Sequence, residues 1–401
     1  MPSMLRFVLP ALFAAALSGP AAAQVEVVQL AAPDAFSTPG RDTGLPADLW
    51  AGTPIDTARA VLPQLAAKPL SPAAAHLARR VLATGAKGPD GSAGDEALAG
   101  QRATALIALG DVGAATRILD RAPGVDRNAE LARAAAETAL LSGDTARACG
   151  VAERLATNRG DIYWIRLRAF CQLEAGQAPQ AQLTFELAQT QARDAVYGRL
   201  MSARIAGTPP GAASARNGLD LALSRALNLD LAAAKPAPAV AAALAGGEAP
   251  PTPGFDTTTI DAEIGGLAAA VRAGLPPEAG VSALIAAAAE AADPKTRARL
   301  QAAALLVSSL ANDLPGADRA KLAGFAVPEG KAPAGRNQAL EAASDTRRAG
   351  EAALLALWTC ADAGAAGPAT ADRARIVRTL ARAGLADDAR LFVLEGLAAL
   401  K

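Results

Sequence analysis

The sequence predicts an all-α protein: an α/α solenoid of antiparallel helix pairs, followed by a second helical lobe. Three observations carry that reading. The first is composition. The chain has 401 residues, is 51% hydrophobic and holds only 13 aromatics, with alanine supplying about half of the hydrophobic share. Alanine is the strongest helix former and a poor filler of thick cores, so thin, closely packed helices are expected, with no β-sandwich and no large apolar ligand cavity. The second is a spacing: Gly110, Gly143 and Gly176 recur every 33 residues and Gly207 follows 31 later. Each has an alanine five positions on, at Ala115, Ala148, Ala181 and Ala212. The third is helix grammar, since glycine suits the left-handed position that closes a helix and a following aspartate can cap the next.

In chain order, residues 1–23 read as a secretory signal peptide. Arg6 is the only charge, and an apolar stretch of about 11 residues, Phe7–Leu17, falls short of the roughly 20 that span a bilayer. Ser18-Gly19-Pro20 breaks it, and Ala21-Ala22-Ala23 places small residues before a cut at Gln24. Periplasmic export is therefore expected. The apolar stretch Val281–Ala289 is about half a span, so no membrane crossing is expected after cleavage. Residues 24–47, with Pro33, Pro39 and Pro46, read as an extended or mobile arm.

Helical pattern begins at about 48. Ser71-Pro72 opens a helix over 72–83. Gly143-Asp144 and Gly160-Asp161 bracket another over about 145–158. One begins at 162 and closes at Gly176, and Pro179 lies in the first turn of the next. Asp194 caps 195–206, which Gly207 closes. Residues 232–256 hold five prolines and read as a linker, or as a short helix Pro238–Leu244 between turns. Helices follow over 258–273, from Pro276-Pro277 to Ala292, and over 294–312, 336–361, 370–383 and 386–400, with a looser 313–335. Gly384 and Ala389 repeat the five-residue offset. The resulting division is a solenoid over 48–231, a Pro/Ala-rich linker over 232–256 and a helical lobe over 257–401.

Antiparallel pairs at this period, with a small residue closing the first helix and an alanine early in the second (Gly143 with Ala148, Gly176 with Ala181), resemble tetratricopeptide-like repeats. The resemblance covers about 100–215. It implies an α/α solenoid that binds proteins. The family's aromatic positions are mostly alanine or leucine here, and no repeat-terminal proline recurs.

Cys149 and Cys171 lie 11 residues either side of Gly160. Equal offsets from the turn of an antiparallel hairpin put two residues at one height, about 16 Å from the bend at 1.5 Å per residue. Cys149 shares an apolar stripe with Ala148, Ala152 and Leu155, and Cys171 one with Leu167 and Trp164. A disulfide is therefore expected in an oxidising compartment, the alternative being two buried thiols. Cys360, in the apolar run Leu354–Cys360, reads as a core thiol, the alternative being an intermolecular disulfide.

Little in the sequence suggests catalysis. The 39 basic residues balance the 39 acidic ones, which leaves no field to hold nucleic acid or an anionic membrane. His76 is the only histidine and has no cysteine near it in sequence, so neither a metal site nor a cofactor is expected. Nucleophile-elbow, phosphate-loop and zinc-protease motifs are absent from the sequence. Asp387-Asp388 reads as a solvated pair near a helix start. Tyr163 and Trp164 are adjacent in a first turn, so one should face outward if the other is core; this makes Tyr163 a candidate partner contact. Arg159 and Arg166, with Arg154 and Arg168, cluster around the same hairpin. They could meet an acidic partner or form local ion pairs with Glu153 and Glu174.

The function expected from these features is a non-catalytic periplasmic scaffold that binds protein partners in a cell-envelope assembly. The alternatives are a recognition subunit of a peptidoglycan-acting enzyme and a structural part of a surface appendage.

Overall fold

A computed structural model describes residues 34, 36–257, 262–275, 278–311 and 313–400. The expected signal segment, the first part of the arm and Pro276-Pro277 lie outside them. Among the described residues there are nineteen α-helices and no strand, only an isolated bridge between Pro54 and Asp90.

The helices of the first half are α1 (Ile55–Ala67), α2 (Pro72–Ala83), α3 (Glu96–Ala108), α4 (Val112–Leu119), α5 (Ala129–Ser142), α6 (Thr145–Arg154), α7 (Ile162–Glu174), α8 (Ala178–Gln191), α9 (Ala195–Ala206) and α10 (Gly218–Ala226). They pack as a solenoid-like stack, with α3 between α1 and α5, α6 against α5 and α7, and α8 against α7 and α9. The repeat glycines do what their spacing implies. Gly110, Gly143, Gly176 and Gly207 all have positive φ, between 66° and 85°, and follow α3, α5, α7 and α9. The side chains of Asp111, Asp144, Asp161 and Asp194 accept backbone N–H groups of the next helix. Ala115, Ala148 and Ala181 are fully buried, which lets neighbouring helices approach closely.

The fourth member of the series departs from the pattern. Ala212 is exposed in a loop, because Pro209-Pro210 cannot continue a helical hydrogen-bond ladder. The regular pairs therefore end at α9, and α10 turns back to pack on α5 as well as α9. The short helix Pro238–Leu244, α11, forms and lies against α3, α4 and α5.

The later helices are α12 (Ala262–Arg272), α13 (Glu278–Glu290), α14 (Pro294–Ser308), α15 (Gly316–Ala323), α16 (Ala334–Asp345), α17 (Ala349–Ala363), α18 (Thr370–Arg382) and α19 (Ala386–Ala398). The looser stretch thus contains α15. The helix expected over 336–361 is two helices, broken where Arg347 takes φ 53° and the Thr346 hydroxyl and Arg348 N–H use the last carbonyls of α16. These helices join the beginning of the stack: α17 packs on α1 and α2, and α19 packs on α2. Asp388 is only 1% exposed and pairs with Arg80 of α2, so it is a buried link between distant helices and no solvated carboxylate.

The described part of the arm has no regular structure but is tied down. Phe36 and Trp50 meet edge to face at 5.4 Å, and both are buried. Arg102, wholly buried on α3, donates to the carbonyls of Leu82 (2.7 Å), Thr84 (2.9 Å) and Thr38 (3.2 Å), and its guanidinium lies 5.0 Å from the Phe36 ring centre. Burial lowers its pKa to about 9. A buried guanidinium surrounded by carbonyls keeps the arm's backbone in one register.

Cys149 and Cys171 form the expected disulfide, with their Cα atoms 5.5 Å apart. The hairpin around it is shorter than expected. Helix α6 stops at Arg154, where Arg159 Nη1 donates to the carbonyls of Glu153 (2.8 Å) and Leu155 (2.7 Å). Cys360 is a buried thiol outside any disulfide, and burial raises its pKa.

Candidate functional site

A groove of about 2000 Å³ runs along one side of the stack. Its walls come from α1, α3, α5 and α7, from Ala75 and Arg79 of α2, and from the starts of α9 and α10, while α4, α6 and α8 contribute no lining residue. From α3 onward the face is therefore that of the first helix in each pair, and at the α1 end both helices reach it. Residues 237–251 form a further wall, with the exception of the few that point elsewhere.

Its floor is polar where α5, α7 and α10 meet. Arg133 and Glu137 stand one turn apart on α5, and the Arg133 guanidinium lies 4.8 Å from the centre of the Tyr163 ring. Glu137 Oε2 accepts the Gly218 N–H at 2.9 Å, which ties the first residue of α10 to the floor. Burial raises the Glu137 carboxyl above its ordinary range, opposed by the Gly218 N–H and the Tyr163 hydroxyl. The Tyr163 phenol is in turn pushed well up, by burial first and then by the Glu137 charge. Arg133, Glu137, Tyr163 and Gly218 thus form one polar cluster on the groove floor.

A second cluster lies one turn along α7. Arg166 Nη2 donates to the Ala192 carbonyl at 2.8 Å, and Nη1 lies 3.6 Å from Asp194. The Arg166 guanidinium is 5.4 Å from the ring centre of Tyr197, whose hydroxyl donates to the Arg166 carbonyl at 3.1 Å. Arg216 Nη2 reaches both Asp194 oxygens at 3.1 Å, and its Nε donates to Asp220 at 2.6 Å. Burial alone would raise the Asp194 carboxyl, but the Tyr197 N–H and Arg216 outweigh it and hold it below the usual carboxylate range. At the opposite end Arg79, 7% exposed, donates to the Leu109 carbonyl at 3.2 Å.

Of the residues singled out in the sequence, the structure brings Tyr163 and Arg166 into this groove and leaves Arg159 outside it, exposed at the end of α6. Tyr163 and Trp164 are both buried, at 9% and 3%, with rings edge to face at 4.9 Å. The expectation that one of them faces outward is not met: both border the groove, and Arg133 covers the Tyr163 ring. The arginine cluster uses carbonyls more than carboxylates, since Arg168 donates to the Arg159 carbonyl at 2.8 Å and Glu174 pairs with Arg204 at 3.2 Å. Arg133, Glu137, Arg216 and Asp220 were not singled out in the sequence. The only signal for the first two was a pair of charges at i and i+4 interrupting an alanine run.

His76 is half-buried, and its pKa falls to about 4 through burial and then the charges of Arg79, Arg80 and Arg41. Among the described residues no group of three or more His, Cys, Asp or Glu side chains could hold a metal ion, and no helix is long and apolar enough to cross a membrane. Comparison with protein-family models, with curated proteins and with solved structures gives no match.

Proposed function

We infer that this chain is a non-catalytic periplasmic scaffold that holds a protein partner along its groove within a cell-envelope assembly. The observation that carries the reading is the groove itself. It follows the face that the first helices share, and it offers small side chains broken by the polar groups Arg133, Tyr163 and Arg166. Such a lining suits a polypeptide, which presents backbone donors and acceptors at regular intervals alongside modest side chains. The Cys149–Cys171 bond accords with an oxidising compartment.

Crosslinking in intact cells, with partners identified by mass spectrometry, tests this reading. One dominant envelope protein, whose capture drops when Arg133 is changed to Glu, is the expected result. Sedimentation of the purified chain with isolated sacculi, or turnover of a substrate by it, would overturn the reading.

A further inference from the structure

The two pieces of chain that line the groove after α9 are held very differently. Helix α10 is anchored. Leu219, Asp220, Leu221, Leu223 and Ser224 are all buried, Gly218 N–H donates to Glu137, and Arg225 donates to the Leu141 carbonyl at 3.3 Å. A Cβ on Gly218 would come within 3.0 Å of the Leu140 Cβ, so the two helices touch through backbone.

Residues 237–251 are attached more lightly. Within Pro238–Leu244 only Val240 and Ala242 are buried, and Leu244 is 44% exposed. Glu248 is the only polar side chain in the segment. What joins the segment to the rest of the chain is that apolar contact, with Ala239 and Ala243 at its margin, and two backbone hydrogen bonds of 2.9 Å, from Gly113 N–H to the Gly247 carbonyl and from Ala237 N–H to the Ala215 carbonyl. Pro236 and Pro238 precede it, Gly246 and Gly247 close α11 at φ 99° and 78°, and Pro250-Pro251 follow. Prolines at both ends and two left-handed glycines after it isolate α11 from its neighbours, so its release would not unwind another helix.

We propose that residues 237–251 are a strap that lifts from α3, α4 and α5 as a unit while α10 stays seated, opening one wall of the groove. Opening of this kind exposes a small apolar contact centred on Val240 and Ala242 and frees two amides, Gly113 at the start of α4 and Ala237 at the foot of the strap. The strap rests on the docking reading for its purpose, but its motion belongs to the chain alone. A partner entering the groove would be gated by it, and seating of the strap would compete with that partner.

Amide hydrogen exchange of the full, oxidised chain tests this without any partner. Once lifted, a seven-residue helix does not hold itself, so the amides of Ala241, Ala245 and Gly247, which bond inside the strap, should exchange at one common opening rate with those of Ala237 and Gly113, which cross its boundary. That rate should exceed the rate for Leu221 and Leu227 of α10 at least about a hundredfold, with little dependence on urea, because local opening exposes little surface. Val240→Asp should bring the strap amides to unprotected rates and leave α10 protected. Strap amides that exchange only with α10, with the urea slope of global unfolding, would overturn the proposal. So would a loss of α10 protection in proportion in Val240→Asp. If that variant does not fold, the urea dependence of the unmodified chain decides. A strap that opens while cell crosslinking finds no partner would leave the motion standing and sink the docking reading.

Discussion

Glu395, in the last turns of α19, caps the beginning of α2 at Ser71, 324 residues earlier in the chain. Its Oε2 accepts the Ser71 hydroxyl at 2.9 Å, and its Oε1 accepts the Ala73 N–H at 2.9 Å. Ser71 was expected to cap its own helix, but its hydroxyl donates to the carboxylate and makes no cap bond of its own. Arg373 of α18 donates to the same carboxylate, and both side chains are buried. Two helices from the end of the chain are thereby fastened to a helix near its start.

The consequence for stability is direct. Glu395→Ala leaves a buried guanidinium and a helix end without their acceptor. We expect a loss of about 3 kcal/mol, read as a lower urea midpoint with unchanged slope. Glu395→Gln keeps one acceptor and should lose less.

The Cys149–Cys171 bond should also be measurable. It closes a loop with a sequence separation of 22. Chain entropy gives such a bond about 3 kcal/mol of stabilisation. The oxidised chain should migrate faster than the reduced chain on a denaturing gel, and Cys149→Ser should abolish the difference. Equal mobility of the two forms would count against the bond.

His76 should set part of the pH dependence. Its pKa is lowered on folding from 6.5 to about 4. The folded state therefore resists a proton that the unfolded state takes up. The contribution is fully present above pH 6.5 and is lost as the pH falls towards 4. Urea midpoints of the parent chain should drop through that window more steeply than those of His76→Gln. Parallel profiles would contradict the shift.

Glu137 has the opposite sign. Burial raises its carboxyl pKa, so its ionisation disfavours the folded state as the pH rises. Glu137→Gln retains an acceptor for Gly218 and removes that charge. Its stability relative to the parent should improve with rising pH above the ordinary carboxylate range. A difference that is flat with pH would contradict the burial of this carboxylate.

The regular part of this fold was legible because its punctuation is local. A glycine at positive φ and an aspartate just after it act on the adjacent turn, so Gly143-Asp144 declares itself without reference to the rest of the chain. The disulfide was legible for the same reason: Cys149 and Cys171 sit on one hairpin. The groove floor was not. Glu137 meets Gly218 across 81 positions, and Ser71 is diverted by Glu395 across 324. Such pairings depend on how α10 and α19 fold back, which no short-range pattern encodes. Arg159 shows the converse, since an exposed charge beside candidate contacts closes the helix that precedes it.

The central claim is that the face shared by the first helices receives a protein. A photoreactive amino acid at Thr104, exposed within the groove on α3, tests it most directly against the same group at Glu153, exposed on α6 outside it. In intact cells Thr104 should give one discrete crosslinked protein that Glu153 does not, and Arg133→Glu should reduce it. Equal capture from both positions, or none from Thr104, would contradict the claim.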